Sequence, residues 1–349
     1  MLKTPSLVAT LFSHILKRYS ISLLAIDKRV LRSAPATFSS EDILHFLAIR
    51  TLLKKTRICI ENVRGALMGF YKGVTLLTTA RGILTSDGYL TSAETLCHND
   101  ITDAITEAMT RLLPRTPVFI VDLSLWELHH EKERQSLIKQ LAVTINTVRR
   151  WLADFNLMIV SAPLSVRQKL QELVPNFVIF HNTPDIYRSL NADNAVVLDP
   201  YADEELSEAD VYKYDYFILG GVIDRLYPRP YATFLIYTVH NLNFKRKAVK
   251  LRGSAVGVPN ELNKIIDIIL HTRIAGIALE EAIKINMDID DKLVRIFQEV
   301  VKLANSGLRP GLEDVLKLVK EYNLDEDYVP RVMSFIRKLK SCLGEVHTS

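Results

Sequence analysis

Between residues 217 and 225 the chain reads FILGGVIDR. An apolar run ends in Gly220 and Gly221, continues through Val222 and Ile223, and then sets a carboxylate at Asp224 beside Arg225. A carboxylate just beyond a strand end can take a proton from a reacting group or hold it by a hydrogen bond. Two residues without Cβ atoms permit a tight or left-handed turn and let a flat ligand come close to the backbone. The same residues also suit a plain strand-to-helix turn with Asp224 as its N-cap. Alone, the string leaves both readings open.

Two other apolar runs end in comparable fashion, VVLDPYADEEL at 196–206 and KAVKLRGSAVGVPNELNKIIDIIL at 247–270. In open α/β sheets, ligands bind outside the carboxyl ends of the strands. Other chemistry is absent or discounted. No GxGxxG follows a strand, and neither a GxxxxGK[ST] string nor a GxSxG elbow occurs. His130-Glu131 opens an HExxH-like string, but Arg134 stands where the second histidine belongs. Asp288, Asp290 and Asp291 lack the glycine and the distant glutamate of a calcium loop and suit helix capping. Cys59, Cys97 and Cys342 are too widely spaced for a disulfide framework or a zinc site, so no metal is expected.

The elements that must position these residues fall into three regions. Residues 1–111 read as a small α+β domain. SSEDILHFLAIRTLLKK (39–55) starts with Ser-x-x-Asp before an apolar-periodic run, a helix-start pattern. Asp87-Gly88 sits between two β-prone arms in GILTSDGYLTS (82–92), a hairpin pattern. Strands are also expected at Arg57–Ile60 and Gly73–Thr79. Residues 112–276 alternate buried-strand runs (117–123, 157–162, 176–180, 195–199, 217–223, 247–251) with helical stretches. The clearest of these is 131–153, with Leu137, Leu141, Ile145, Val148 and Leu152 at helical spacing. That alternation indicates a parallel sheet covered on both faces. Residues 277–349 are helical throughout, with Gly307 and Pro310 as punctuation.

Charge is unevenly placed. Residues 1–110 carry 13 Lys/Arg against 9 Asp/Glu, whereas 276–349 carry 11 against 13, which favours an anionic partner for the N-terminal part. The first 30 residues include His14, Lys17 and Arg18 and lack a continuous signal-peptide core, and no run is long enough to span a bilayer. A cytoplasmic protein with no membrane contact is expected.

The three strand-end segments, with VFIVDLS (118–124) and the helix carrying Gln140, Arg149 and Arg150, resemble the SPOUT-class tRNA methyltransferases that modify N1 of the purine at position 9. The resemblance covers about 117–275 and is most specific at Gly220–Arg225. It implies an α/β fold: a SPOUT-like parallel sheet with a C-terminal trefoil knot, flanked by the N-terminal α+β and C-terminal helical domains. It also implies S-adenosyl-L-methionine as cofactor, bent in a pocket of three loops. Leu198 and Asp199 line the first; Leu219, Gly220 and Gly221 the second; Lys250, Leu251, Arg252, Gly253 and Ser254, with Val258, the third. Two departures stand out: Leu251 is followed by Arg252 where the family shows proline, and LYPRP after Arg225 differs from the family's text.

Guanine N1 carries a proton at neutral pH, so its methylation needs a base, whereas adenine N1 already offers a lone pair. The resemblance makes Asp224 the group that takes or holds a proton, and gives Gln140 a contact to the base or the tRNA. Asp267, on the apolar stretch 261–270, orients the loops or is simply a satisfied buried carboxylate. Arg149-Arg150, Lys245-Arg246-Lys247 and Lys54-Lys55 with Arg57 are the expected phosphate contacts, each cluster also readable as a solvated face. The N-terminal domain, with six Lys/Arg and one acid in residues 1–33, would clamp the tRNA body. An extra N-terminal domain with a helical C-terminal tail is similar to the archaeal long form, which favours adenine over guanine, and the resemblance to the position-9 family implies a monomer. Two other readings stay open: a non-catalytic RNA-binding protein built on the same scaffold, and a nucleotide-using α/β enzyme of another kind.

Overall fold

The computed structural model describes residues 5–32, 34, 39–62, 65–79, 87–92, 99–182, 185–223 and 229–346. The chain groups into two compact units, one of Met1–Phe119 and Leu141–His181, the other of Ile120–Gln140 and Asn182–Ser349.

The N-terminal elements are α1 (Leu7–Arg18), β1 (Leu23–Asp27), α2 (Lys28–Arg32), α3 (Ser40–Leu52), β2 (Arg57–Asn62), β3 (Ala66–Tyr71), β4 (Val74–Thr79), β5 (Asp87–Ser92) and α4 (Thr102–Leu112). The five strands form one sheet in the order β2-β5-β1-β4-β3, with β1 parallel to both of its neighbours. Phe12, Leu16, Leu24, Leu44, Leu47, Ile105 and Met109 share a core with no exposed surface. The helix start at Ser39 is a reciprocal cap: Ser39 Oγ accepts from Asp42 N at 3.2 Å, and Asp42 Oδ2 accepts from Ser39 N at 3.1 Å.

Two expectations are corrected in this unit. Asp87 and Gly88 do not turn a hairpin; they begin β5, where Asp87 faces Asn62 and Gly88 faces Glu61. Pairing on both sides of β5, to β2 and β1, overrides the local turn preference; the other arm, 82–86, lies outside the described residues. Cys59, buried on β2, is disulfide-bonded, so sequence spacing misread a pairing that depends on distance in space.

The remaining elements are β6 (Val118–Asp122), α5 (Glu131–Arg149), β7 (Leu157–Val160), α6 (Leu164–Leu173), β8 (Phe180–His181), α7 (Asp185–Arg188), β9 (Ala195–Leu198), α8 (Glu208–Lys213), β10 (Tyr216–Gly220), α9 (Ala232–Val239), β11 (Lys245–Lys247), α10 (Leu262–Arg273), α11 (Leu279–Asn286), α12 (Ile289–Asn305), α13 (Leu312–Glu321) and α14 (Val329–Val346). The second sheet has the order β11-β9-β10-β6-β7-β8. From β9 the chain goes to β10 on one side, then returns to β11 on the other, both parallel to β9. Such a reversal leaves a crevice at the carboxyl ends of the strands.

Strand lengths depart from the apolar runs. β8 shares only Phe180 with the expected 176–180 run and extends to His181. β11 starts at Lys245, ahead of the apolar residues, because Lys245, Arg246 and Lys247 pair with Val196, Val197 and Leu198. Nearby acids make the basic strand tolerable: Arg246 meets Asp199, and Lys247 meets Glu204 and Asp210. Asp288 caps α12 in a reciprocal pair with Asp291, as its spacing predicts.

Candidate active site

The loops that follow β9, β10 and β11 enclose a cavity of about 350 Å³. The first loop contributes Leu198, Asp199, Pro200 and Tyr201; the second contributes Leu219, Gly220, Val222 and Arg229. Val249, Ala255, Val258, Pro259 and Asn260 come from the third, with Ala232 and Thr233 of α9 and Leu262 and Ile265 of α10 closing the wall. The lining is chiefly aliphatic, with a few polar groups set among it, a composition that suits a nucleoside.

Asp199 shapes the first loop. It is 1% exposed, and its Oδ2 accepts from Arg246 Nη2 at 2.9 Å and from Nε at 3.1 Å. Its Oδ1 accepts from the Tyr201 amide at 3.0 Å, which folds 199–201 over the end of β9. The Arg246 guanidinium also lies 4.4 Å over the Phe234 ring. Arg246 is therefore engaged between a carboxylate and an aromatic face.

Neither Gly220 nor Gly221 has the left-handed backbone that the sequence allowed for. Close approach explains both. A Cβ on Gly221 would sit 2.3 Å from Leu123 Cδ2 and 3.0 Å from the Asp122 carbonyl oxygen, to which the Gly221 amide donates at 2.8 Å. A Cβ on Gly220 would sit 2.9 Å from Thr233 Oγ1 of α9. The pair lets β10 leave the sheet beside the β6 chain and under α9. Gly220 lines the cavity as expected, while Gly221 serves the packing behind it.

The third loop differs most from its expected map. Leu251 to Ser254 close on themselves, with Leu251 N donating to Ser254 O at 2.9 Å and positive φ at Arg252 (49°) and Gly253 (76°). Lys250 reaches the Asp203 carbonyl at 3.4 Å, and Arg252 pairs with Glu321 of α13. Of the expected third-loop residues, Val258 is the one that lines the cavity. The C-terminal helices hold this loop from behind. Arg295 of α12, fully buried, donates to the Val256 carbonyl at 3.3 Å, and Gln298 Nε2 donates to Ser254 Oγ at 2.8 Å.

Asp224 and Arg225 lie outside the described residues, but the residues on either side of 224–228 are well placed. The Ile223 amide donates to His129 Nε2 at 3.0 Å; the other ring nitrogen, Nδ1, is 3.2 Å from the Trp126 carbonyl, which puts the ring proton on Nδ1. Burial holds the His129 pKa below its ordinary value, and Arg229 and Arg134 push it the same way. Arg229 forms a two-pronged pair with Glu133 at 2.8 and 3.1 Å. Sequence reasoning missed His129, Glu133 and Arg229: the His129–Ile223 contact spans 94 residues, and no spacing rule reaches that far. Beside the glycines, Asp122 is fully buried and accepts from the Tyr187 hydroxyl at 2.6 Å and the Ser124 amide at 2.7 Å. Burial, then the Asp122 charge, drives the Tyr187 pKa far up, so this hydroxyl stays protonated.

Gln140 is half-buried on α5. Arg149 is 9% exposed and binds Asp154 bidentately at 2.6 and 2.7 Å, and its carbonyl oxygen lies 2.7 Å from His45 Nε2. Arg150 is exposed at the end of the same helix. Lys54 is exposed with Asp103 at 3.3 Å. Lys55 is half-buried, and burial, followed by the charges of Arg149 and Arg50, lowers its pKa. Lys245 is exposed, whereas the Lys247 side chain is largely covered between its two acids. Asp267 is buried on α10, with its Oδ2 3.7 Å from His271 Nδ1. Among the described residues there is no cluster that could hold a metal ion, and no helix long and apolar enough to cross a membrane.

No protein-family model matches the chain. It is 29% identical over 260 residues to a tRNA (adenine(9)-N1)-methyltransferase of Sulfolobus acidocaldarius, a match covering 74% of this chain and 80% of that protein. It is 28% identical over 224 residues to a tRNA (guanine(9)-/adenine(9)-N1)-methyltransferase of Thermococcus kodakarensis, covering 63% of this chain and 60% of that protein's length. Among solved structures, Sulfolobus acidocaldarius Trm10 in complex with S-adenosylhomocysteine superposes with a TM-score of 0.65 at 24% identity, covering 95% of this chain and 98% of that one. A second structure of that protein gives a TM-score of 0.53 at 26% identity over 80% of this chain and 98% of that one. The fold is the α/β SPOUT architecture of these structures.

Proposed function

We infer that this chain is a member of the SPOUT-class tRNA (purine-9, N1)-methyltransferases, and that it transfers a methyl group from S-adenosyl-L-methionine to N1 of the purine at position 9 of tRNA, adenine ahead of guanine. The observation that carries this reading is the cavity at the ends of β9, β10 and β11, formed by the same three segments that carried the resemblance.

The chemistry of the cavity lining supports the donor. Its aliphatic walls, including Leu198, Leu219, Val249 and Val258, suit the faces of an adenine ring, and the loop backbones and Asn260 supply polar edges. S-adenosylmethionine supplies a methyl group on a sulfonium centre. The chain's own part is to orient the acceptor and to manage one proton. Position 9 lies stacked inside folded tRNA, so the base must be drawn out before it can meet the donor. Asp224 then accepts the proton that leaves the adenine amino group, or holds that group by a hydrogen bond; with guanine it removes the N1 proton itself. Gln140 contacts the base or the neighbouring RNA.

On this reading, residues 112–276 form the catalytic domain with its trefoil knot, 1–111 grip the tRNA body, and 277–349 brace the third loop through Arg295, Gln298 and Glu321. Arg150, Lys54, Lys55 and Lys245 are the basic residues best placed for phosphate, and the protein acts as a cytoplasmic monomer. The test is to incubate unmodified transcripts bearing A or G at position 9 with labelled donor, then map the product by nuclease digestion and mass spectrometry. N1-methyladenine at position 9 is the expected product; absence of product at that position removes the reading. Calorimetric titration with S-adenosylhomocysteine separates it from a non-catalytic RNA-binding scaffold, which would give no heat.

A further inference from the structure

The geometry points to a stacking platform, made of Tyr201 and Tyr231 at the mouth of the donor cavity, that receives the purine base to be methylated; this inference rests on the function proposed above. Tyr201 lines the cavity and is nevertheless 50% exposed. Tyr231 is 57% exposed, and the two ring centroids are 5.0 Å apart at 46°. Tyr231 also carries an unusual backbone, with φ 67° and ψ 13°, just before α9. A left-handed conformation at a bulky residue carries strain, and here it is not offset by burial of the ring. What the strain achieves is to keep an aromatic face outside, next to the cavity entrance.

The surface around the pair has the same chemistry. Arg229 and Ala232 line both the cavity and a shallow groove shared with Tyr231 and Phe234, so the aromatic surface is continuous with the donor site. Phe234 is 41% exposed beneath the Arg246 guanidinium. Aromatic faces beside a guanidinium plane are what single-stranded or extruded bases stack upon. A base drawn from the tRNA core loses its stacking partners, and a platform at this entrance replaces them where the acceptor nitrogen must wait. A second copy of the chain is the competing occupant, because Leu235 and Val239 of α9 are also exposed.

The test compares wild type, Tyr201→Ala/Tyr231→Ala and Tyr201→Phe/Tyr231→Phe in their affinity for two transcripts, one with adenine at position 9 and one abasic there. Thermal melts confirm that each variant folds. Stacking of one base on aromatic side chains corresponds to a preference of about 5- to 150-fold for the base-bearing transcript, expected in wild type and in the phenylalanine variant. The alanine variant should bind both transcripts alike. Equal weakening toward both transcripts would overturn the platform, as would lost S-adenosylhomocysteine affinity with the preference intact. A wild-type dimer in sedimentation that the alanine variant dissociates would assign the face to a second copy. A wild type that methylates adenine 9 but shows no preference removes the platform alone. One that methylates neither purine removes the functional reading and the platform with it.

Discussion

Arg229 Nη1 donates to the carbonyl oxygen of Ile223 at 2.7 Å, tying together the two residues that bracket 224–228. The same guanidinium holds the Leu128 carbonyl at 2.8 Å and both oxygens of Glu133, whose side chain is 2% exposed. Removing one partner strands a buried charge and unmakes several bonds at once. Arg229→Ala should therefore lower the unfolding free energy by roughly 3–5 kcal/mol, read by urea denaturation. It should also weaken S-adenosylhomocysteine binding, because Arg229 lines the cavity. Unchanged stability would show that the pair is not formed in solution.

The other bond to Ile223 is pH-sensitive. His129 is neutral in the folded chain, and its pKa lies below the unfolded value of about 6.5. Between those two values the unfolded chain binds a proton that the folded chain refuses. The His129 contribution is thus present at neutral pH and is lost as pH falls from about 6.5 toward the folded pKa. His129→Gln keeps an acceptor near Nε2 and does not titrate. Its stability relative to wild type should rise as the pH is lowered across that window, and a constant difference would count against the account.

Gly221→Ala places a Cβ where Leu123 Cδ2 and the Asp122 backbone already are. Backbone cannot yield as a flexible side chain can, so a loss of about 1–3 kcal/mol in thermal unfolding is expected. Gly276→Ala is the control. It has open space but φ +67°, and should lose only the left-handed penalty of about 1 kcal/mol.

Asp224→Asn keeps the size of the side chain and removes its basicity. In single-turnover assays at saturating donor, methylation of guanine 9 should fall by about 10²–10⁴-fold. Adenine 9 should fall less, since its N1 lone pair is already free and alignment supplies most of the effect. An unchanged rate on both purines would discard the role given to Asp224.

Lys55 stands among like charges, with Arg149 and Arg50 lowering its pKa after burial. If it contacts phosphate, Lys55→Ala should reduce the slope of log affinity for tRNA against log salt by about 1. Arg149, already bound bidentately to Asp154, should instead act on stability when changed to alanine, with little effect on that slope.

Local rules reached the elements whose causes are local. Ser39 and Asp42 are three residues apart, so the α3 cap was readable, as was the Asp288–Asp291 cap of α12. The alternation of apolar runs with helical spacing gave the parallel sheet, and the Gly-Gly string lies at a strand end that borders the cavity. Reading failed where a neighbour in space outvotes the local preference. Asp87-Gly88 reads as a turn but begins a strand, paired there with Asn62 and Glu61 of β2. The run 247–251 reads as the last strand from its apolar residues, but the strand is Lys245–Lys247, whose pairing with Val196–Leu198 takes the basic residues into the sheet.

What the sequence determined by itself, then, is the periodicity of each element, the caps, and the three apolar runs whose ends border the cavity, because these depend on residues a few positions apart. Which side chains face the cavity was decided by the tertiary structure. The Leu251–Ser254 turn directs Arg252 to Glu321, Asp199 is fixed by Arg246, and Ile223 is gripped by His129 from 94 residues away. Those pairings satisfy buried charges and backbone groups across long stretches of chain, and a buried polar group takes whatever partner the fold brings to it.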